Sequence, residues 1–258
     1  MDLSDHAENR SGAAVMTDQS EGTGSDSSHD RVRSIFTEIA SDYDRVNRVI
    51  SLGLIDRWRY RLVSEMEFME GSSILELGCG TGKLTRLIAE RLGEGRVLGV
   101  DLTPGMVEIA RRTLPAEYED LVDFSIGAGE NLDLESNSFD LVTSAFTLRN
   151  VKDLEKVISE MKRVVKPGGQ VYSLELAKPT IPGFRQIYRF YFDRVLPWIG
   201  GVVHGDPKPY RYLADSLKRF PNQEKLKKLF VQAGLAEVEI QELFGGIAAI
   251  HRGTKKES

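Results

Sequence analysis

Ile74-Leu75-Glu76-Leu77-Gly78-Cys79-Gly80-Thr81-Gly82-Lys83 is the stretch that decides how this chain folds. Its apolar residues lead into three glycines at alternate positions, and a helical pattern follows over Leu84–Arg91. Glycine accepts positive φ angles and lets a ligand lie against bare backbone, and a helix N-terminus offers free N–H groups to such a ligand. The stretch therefore predicts a buried strand, a glycine turn and a helix, with a ligand-binding edge at the turn.

The glycine spacing differs from that of the dinucleotide-binding turn. Nicotinamide enzymes carry G-x-G-x-x-G, whereas Gly78, Gly80 and Gly82 follow G-x-G-x-G, with Glu76 two residues before the first glycine. This pattern resembles motif I of the S-adenosylmethionine-dependent methyltransferases. The resemblance implies that the loop lies under the methionine part of the cofactor. An ordinary glycine-rich turn between a strand and a helix is the alternative.

Strand and helix patterns alternate along the rest of the chain, as in a parallel α/β sheet. Gly245-Gly246 predicts a hairpin and an antiparallel final strand, and Lys166-Pro167-Gly168-Gly169 predicts a turn. With the glycine motif, the expected fold is a Rossmann-like class I methyltransferase sheet of seven strands, with N-terminal helices and a helical insertion before the last helix. The expected strands are 73–79, 96–101, 121–127, 139–146, 170–177, 236–244 and 247–252, and the expected helices are 104–114, 153–163 and 222–233.

Asp101 ends the second predicted strand, about 20 residues after the glycines. In nucleotide-binding α/β folds a carboxylate at this point accepts hydrogen bonds from ribose hydroxyls. The alternative is an N-cap for the helix that Pro104 opens. Given the glycine turn, we predict ribose binding.

Composition indicates an ordinary globular protein, with 258 residues, 41% of them apolar and 28% charged. No apolar run reaches the roughly 18 residues of a membrane-spanning helix, and no secretory signal opens the sequence. We therefore expect a cytoplasmic protein. The lone Cys79 excludes an intramolecular disulfide and a CxxC metal site; we expect it to be a small buried residue and expect no metal.

The N-terminal region divides into a tail and a helical segment. Residues 1–30 hold seven acidic residues, one arginine and no aromatic residue, which predicts a disordered acidic tail. Residues 31–258 are then expected to form a single methyltransferase domain. Within it, 31–69 is predicted to be helical, and Tyr43 and Asn47 lie one turn apart. The segment is either a lid over the glycine loop or an amphipathic helix with its polar face in water.

Residues 178–220 form the predicted helical cap. They hold nine of the chain's 21 aromatic residues, with eight Lys or Arg against three Asp. Aromatic residues among basic ones also occur in nucleic-acid-binding proteins, but no RNA-binding module is visible, and no nucleic acid is expected as a partner. We interpret the segment as an apolar cover with a basic rim, which predicts peripheral contact with an anionic membrane surface. A cap that only fills its own core is the alternative.

Several sequence blocks lie between about residues 31 and 253. They are Tyr43-Asp44-x-x-Asn47 with Ser51 and Trp58, Arg163-Val164-Val165-Lys166-Pro167-Gly168-Gly169 with Glu175, Leu148-Arg149-Asn150, Leu196-Pro197-x-Ile199-Gly200, Tyr210-x-Tyr212-Leu213 and Ala249-Ile250-His251-Arg252-Gly253. Together these blocks resemble the UbiE/MenG family. The resemblance implies S-adenosylmethionine-dependent C-methylation of a polyprenylated quinol ring in ubiquinone or menaquinone synthesis, on the inner face of the membrane. It leaves open the type of ring, the length of the tail and the choice between monomer and homodimer.

The chain departs from this family at several positions. The usual Met, His and Ser are replaced by Val46, Ile55 and Ala177. Ala145 occupies a position at which a Ser often contacts the cofactor. Ala128-Gly129-Glu130 replaces Asn-Ala-Glu, so main-chain groups are expected to bind the adenine there. The predicted cofactor-binding residues are Glu76, Gly78, Gly80, Thr81, Gly82, Asp101, Leu102, Ala128, Gly129 and Ala145.

Methylation of a ring carbon requires a quinol hydroxyl to lose its proton, because the carbon then gains electron density. Arg149 is too basic to remove that proton simply, and we expect it to stabilise the aryloxide and orient a water. A structural salt bridge is the alternative for Arg149. The predicted catalytic residues are Arg149, Asn150 and Tyr43, with Asp44, Asn47, His204 and Asp206 as further polar candidates.

Three other functions are compatible with parts of the sequence. An NAD-dependent oxidoreductase would share the fold, but the glycine spacing is against it. A non-catalytic S-adenosylmethionine-binding subunit would explain why Ala128 and Ala145 replace the polar Asn and Ser that are usual at these positions. A methyltransferase for a small molecule other than a quinol is the third.

Overall fold

A computed structural model of the chain describes residues 51, 53–196 and 208–257. The predictions for the tail 1–30, for Tyr43, Asp44 and Asn47, and for His204 and Asp206 lie outside these residues. The described strands are β1 Ser73–Leu77, β2 Arg96–Asp101, β3 Val122–Ile126, β4 Phe139–Ala145, β5 Val165–Leu176, β6 Leu235–Leu243 and β7 Ala248–Lys255. The described helices are α1 Leu54–Glu65, α2 Lys83–Leu92, α3 Pro104–Thr113, α4 Leu154–Val164, α5 Phe184–Phe190, α6 Lys208–Arg219 and α7 Gln223–Gln232.

The seven strands form one sheet in the order β3-β2-β1-β4-β5-β7-β6. Strand β1 pairs in parallel with β2 on one side and with β4 on the other. The chain order reverses between these two neighbours, and ligands bind beyond the strand ends at such a point. Strand β7 lies antiparallel between β5 and β6, so the predicted sheet and its antiparallel final strand are confirmed.

The turn predicted at Lys166–Gly169 is wrong, because these residues belong to β5. Phe139 of β4 pairs with Val165, and the next pair is Leu141 with Gln170. Four residues of β5 therefore stand opposite one residue of β4 and form a bulge. Gly168 allows this bulge by adopting a φ of 77°, a value that favours glycine.

Two apolar layers cover the sheet. On one face, α1 and α2 bury the predicted row Trp58, Leu62 and Met66. On the other face, α4 and α7 bury Met161 and Phe230. The hydrophobic effect thus fixes both helix layers on the sheet. None of the helices in the described ranges has the length and apolarity to cross a bilayer.

Candidate functional site

A cleft of about 930 Å³ lies at the carboxyl ends of β1, β2 and β4. The loop after β3 closes its far side. Such a cleft is the expected ligand site of an open α/β sheet. Of the ten residues predicted to bind the cofactor, the cleft is lined by nine: Glu76, Gly78, Gly80, Thr81, Asp101, Leu102, Ala128, Gly129 and Ala145.

The three glycines of the first loop all have positive φ angles, 74°, 54° and 78°, but they serve different purposes. A side chain at Gly78 would overlap Thr147. At Gly82, which precedes α2 and does not line the cleft, a Cβ would lie 3.1 Å from Ala110 and from Phe124. Only Gly80 has no atom within 4 Å of an added Cβ. The bare backbone that faces the cleft is therefore that of Gly80.

Asp101 joins two loops at the edge of the cleft. Its Oδ2 accepts a hydrogen bond of 2.8 Å from the Gly80 N–H, and its Oδ1 accepts one of 2.8 Å from the Thr103 N–H. Helix α3 begins after Thr103, so Asp101 is not its N-cap residue. A carboxylate offers about four acceptor positions, so these bonds leave capacity for ribose hydroxyls. Burial raises the pKa of Asp101, and the two backbone hydrogen bonds oppose the rise.

Glu76 lies at the floor of the cleft and is almost completely buried, with 2% exposed. Its Oε2 accepts a short hydrogen bond from the Thr85 hydroxyl. Burial raises the pKa of this carboxyl to about 8, although Thr85 and the charge of Arg59 act in the opposite direction. The raised pKa favours the protonated, uncharged form of Glu76 at neutral pH.

The loop after β3 lines the cleft through the small residues Ala128 and Gly129. The next carboxylate, Glu130, accepts a 2.8 Å hydrogen bond from the Lys152 N–H and so supports the loop after β4. These residues are compatible with the expected S-adenosylmethionine, because Gly80 leaves open space beside its backbone and the Asp101 carboxylate lines the same cleft.

A second cavity of about 1070 Å³ lies next to the cleft and is mainly apolar. It is enclosed by α1, α5 and the ends of β4 and β5. Arg59 and Phe146 line both spaces. The other residues that line the second cavity are Ser51, Leu54, Ile55, Trp58, Arg149, Leu176, Phe184, Ile187, Tyr188, Tyr191, Phe192, Leu196, Leu213 and Ile247.

Phe146 stands at the boundary in an unusual backbone conformation, with a φ of 58°. A positive φ is costly for an aromatic residue and is concentrated at functional sites. Its ring centre lies 6.0 Å from Cζ of Arg59 and 5.9 Å from Cζ of Arg149. Sequence reasoning missed Phe146 and Arg59. The sequence could have pointed to them only because Phe146 follows the predicted site residue Ala145 and Arg59 follows Trp58.

Arg149 lies in a short 3₁₀ turn, Leu148–Asn150, directly after β4. Its Nη1 is 3.1 Å from Oε2 of Glu175, and both side chains are buried, with 7% and 2% exposed. The other Glu175 oxygen accepts a 2.7 Å bond from the Leu148 N–H. Burial raises the pKa of Glu175, against the opposing charge of Arg149. The salt bridge considered for Arg149 is thus present, and Arg149 also lines the apolar cavity.

Asn150 faces the cofactor cleft instead of the apolar cavity. Its Nδ2 donates to the Phe146 carbonyl at 3.4 Å, and its Oδ1 accepts from the Tyr212 hydroxyl at 3.4 Å. Asn150 therefore connects the boundary residue Phe146 to helix α6. Tyr43, the third predicted catalytic residue, lies outside the described residues.

Cys79 is buried in the glycine loop, and burial raises its pKa well above the ordinary value. The thiol is therefore protonated and unreactive, as expected of a small buried residue. In the described part of the chain, no group of three or more His, Cys, Asp or Glu side chains could hold a metal ion.

Known proteins resemble the chain over most of its length. The model of the ubiE/COQ5 methyltransferase family matches residues 24–255. Demethylmenaquinone methyltransferase of Desulfitobacterium hafniense (strain Y51) is 41% identical over 226 residues, 87% of this chain and 89% of that protein. The protein of the same name from Lactococcus lactis subsp. lactis (strain IL1403) is 40% identical over 229 residues, 88% of this chain and 91% of that protein.

Solved structures share the fold. A SAM-dependent methyltransferase from Thermotoga maritima superposes with a TM-score of 0.62 at 24% identity, over 87% of this chain and all of the other (100%). Phosphoethanolamine N-methyltransferase 2 of Haemonchus contortus, in complex with S-adenosyl-L-methionine, has a TM-score of 0.59 at 17% identity, over 78% of this chain and 53% of the other.

Proposed function

The chain belongs to the ubiE/COQ5 methyltransferase family and is an S-adenosylmethionine-dependent methyltransferase, and we propose that it methylates a ring carbon of a polyprenylated demethylmenaquinol. S-adenosylmethionine is its cofactor and supplies a methyl group on a positively charged sulfur. Relatives named demethylmenaquinone methyltransferase are 41% and 40% identical over most of the chain. That name favours a naphthoquinol ring over a benzoquinol ring.

The observation that carries the proposal is the junction of the two cavities at Phe146 and Arg59. The cleft is rich in backbone and carboxylate groups, whereas the neighbouring cavity is mainly apolar. The methyl donor can therefore lie on one side of the boundary and an apolar acceptor on the other. Alignment of two bound reactants strongly accelerates their reaction. The mainly apolar lining disfavours a small polar acceptor, because burial would remove more of its hydration than the few polar groups of the lining could replace.

We assign to Arg149 the stabilisation of the quinol oxygen that loses its proton. Its guanidinium is positively charged and lines the apolar cavity, where a charge acts more strongly than in water. Glu175 holds the side chain through the 3.1 Å ion pair. In this proposal Arg149 stabilises the aryloxide, Asn150 supports the boundary through the Phe146 carbonyl, and Tyr43 is a further catalytic residue from the N-terminal segment.

We also propose that the cap segment contacts a membrane peripherally. Beside the apolar cavity, Ile181, Ile187, Phe190 and Phe244 expose between 53% and 67% of their surface. Arg185 and Arg189 are exposed on the same helix, α5. Apolar and cationic side chains together favour an anionic lipid surface, which would supply a water-insoluble quinol directly to the cavity.

Mass spectrometry of quinones from cells that lack the protein tests the proposed function. We expect demethylmenaquinone to accumulate and menaquinone to disappear. Restoring the gene should reverse both changes, and a Gly80→Val variant should not. Unchanged menaquinone in the deletion strain contradicts the proposal, and accumulation of a demethylated benzoquinone instead would move the substrate to the ubiquinone series.

A further inference from the structure

Three side chains that line the apolar cavity each carry a buried polar atom without a hydrogen-bond partner among the described residues. The atoms are Nε1 of Trp58, Nε of Arg149 and the hydroxyl oxygen of Tyr188. Trp58 and Tyr188 are 3% and 8% exposed, and the Arg149 side chain is 7% exposed. Unpaired buried polar groups destabilise a folded chain and are rare in native proteins. Three of them at one cavity indicate that a polar part of a ligand completes their bonding.

The chemistry of the three groups specifies what they recognise. The indole N–H and the guanidinium Nε–H can only donate, and a phenol can donate or accept. The carboxylate beside them, Glu175, already accepts from the Leu148 N–H and from Arg149. The lining therefore presents donors, which suit a mainly apolar molecule that carries oxygen acceptors.

The two aromatic donors lie on separate elements and are held by packing. Trp58 belongs to α1, and its ring centre lies 6.3 Å from that of Phe146. Tyr188 belongs to α5, and its ring centre lies 4.6 Å from that of Phe192. Burial raises the pKa of Tyr188 far above its ordinary value. The phenol therefore keeps its proton and acts as a donor, not as a base.

We propose that Tyr188 and Trp58 bind the substrate by donating hydrogen bonds to the two oxygens of the quinol ring. The identity of the ring rests on the proposed function; the unpaired donors require only an apolar molecule with oxygen acceptors. Helix α5 then recognises the ring and does not merely cover it. Arg149 stabilises the oxygen that ionises, and the two aromatic residues fix the orientation of the ring.

Calorimetry with two matched ligands tests this inference. The wild-type protein, saturated with S-adenosylhomocysteine and kept free of oxygen, is titrated with 1,4-dihydroxynaphthalene and with naphthalene. Tyr188→Phe and Trp58→Phe should each weaken binding of the diol about 5- to 10-fold, as expected for one hydrogen bond. Tyr188→Phe should bind naphthalene as the wild type does, and Trp58→Phe, which also removes volume from the cavity wall, should lose less affinity for naphthalene than for the diol. In turnover with a short-tailed demethylmenaquinol, KM should rise more than kcat falls.

Tyr172→Phe is the matched control. The Tyr172 hydroxyl lies 3.0 Å from the Glu65 carbonyl and 2.7 Å from Oε1 of Gln170, and it does not line the cavity. This variant should have a lower Tm and unchanged affinity for both ligands. Tyr188→Phe should keep or raise the Tm, because it removes a buried hydroxyl that has no partner in the described part of the chain.

Two results overturn the inference and differ from a failure of the proposed function. Equal losses for diol and naphthalene would mean that the substitutions only reshape the cavity. Unchanged diol binding in Tyr188→Phe and Trp58→Phe, in a protein that methylates the quinol, would overturn the inference alone. A wild-type protein that does not methylate the quinol would overturn the proposed function, and this inference with it.

Discussion

The Asp101 carboxylate accepts a hydrogen bond from the Gly80 N–H at 2.8 Å, and this bond connects the loops that follow β1 and β2. The second oxygen accepts from the Thr103 N–H. One side chain therefore shapes both the glycine turn and the edge at which the ribose is expected.

Asp101→Ala should weaken S-adenosylmethionine binding by about 1.5–3 kcal/mol, the range for hydrogen bonds to a charged group. It should also lower the Tm, because two backbone N–H groups lose their acceptor. Asp101→Asn keeps one acceptor oxygen, and its cofactor affinity and its Tm should both fall less than those of Asp101→Ala. Calorimetric titration and thermal melts measure the two effects, and unchanged affinity in Asp101→Ala would remove the ribose assignment.

Gly80→Val should abolish cofactor binding and leave the protein folded. The added side chain meets no protein atom within 4 Å and occupies the cleft, although the φ of 54° adds a strain of about 1–2 kcal/mol. Gly78→Val is the contrasting variant, since its side chain would overlap Thr147 and should prevent folding. Circular dichroism and calorimetry separate these outcomes. A Gly80→Val protein that binds the cofactor normally would contradict the placement.

Glu76 should make stability depend on pH. Burial raises the pKa of this carboxyl from 4.5 to about 8, so the folded protein holds a proton that the unfolded chain loses. The free energy of unfolding therefore falls as pH rises from about 4.5 to about 8. Glu76→Gln removes this loss. Its Tm should exceed that of the wild type by more at about pH 9 than at about pH 5; an equal difference at both pH values would show that Glu76 does not titrate in this range.

Substitutions at Arg149 and Glu175 should affect stability and activity differently. Arg149→Met leaves Glu175 buried without its partner, which costs about 3–5 kcal/mol for a buried pair. Adding Glu175→Gln removes the unpaired charge and should recover part of the stability. Turnover should stay low in the double variant, because the aryloxide still lacks its cation. A double variant with wild-type turnover would reduce Arg149 to a structural residue.

Charge reversal on α5 tests the proposed membrane contact. Arg185→Glu with Arg189→Glu should reduce co-sedimentation with anionic liposomes at low salt, since each cation near such a surface contributes about 1 kcal/mol. KM should rise for a long-tailed quinol and stay constant for a short-tailed one. Lys225→Glu with Lys228→Glu, two exposed residues of α7, is the matched control. Equal behaviour of both pairs would show that α5 has no special role.

Much of the fold was predictable because its signals are local. Glycine spacing fixed the end of β1, Gly245-Gly246 fixed the final hairpin, and the row Trp58, Leu62 and Met66 indicated the buried face of α1. The bulge at Lys166–Gly169 was missed because its composition is that of a turn, and only the pairs that Val165 and Gln170 form with β4 on either side of it make it part of a strand. Pairing of this kind depends on distant residues.

The two halves of the candidate site differ in the same way. The residues predicted to bind the cofactor follow strand ends in sequence, and spacing was enough to predict that residues such as Gly80 and Asp101 lie at one cleft. The apolar cavity is lined by residues of α1, α5 and the ends of β4 and β5. The periodicity of apolar residues in the sequence does not show that these elements meet. Tyr188 was visible only as one of many aromatic residues, because the lack of a hydrogen-bond partner for its hydroxyl among the described residues is a property of the packed structure.

The bulge in β5 also determines where the length of the chain can change. Loss of one residue within Lys166–Gly169 would shorten a segment whose residues are not in register with β4, although Lys166 forms an ion pair with Asp140, and would leave the pairs from Gln170 onward in place. Loss of one residue between Gln170 and Leu174 would invert every later side chain of the strand and turn Glu175 away from Arg149. Insertions and deletions should therefore be tolerated at one end of β5 and eliminate activity at the other.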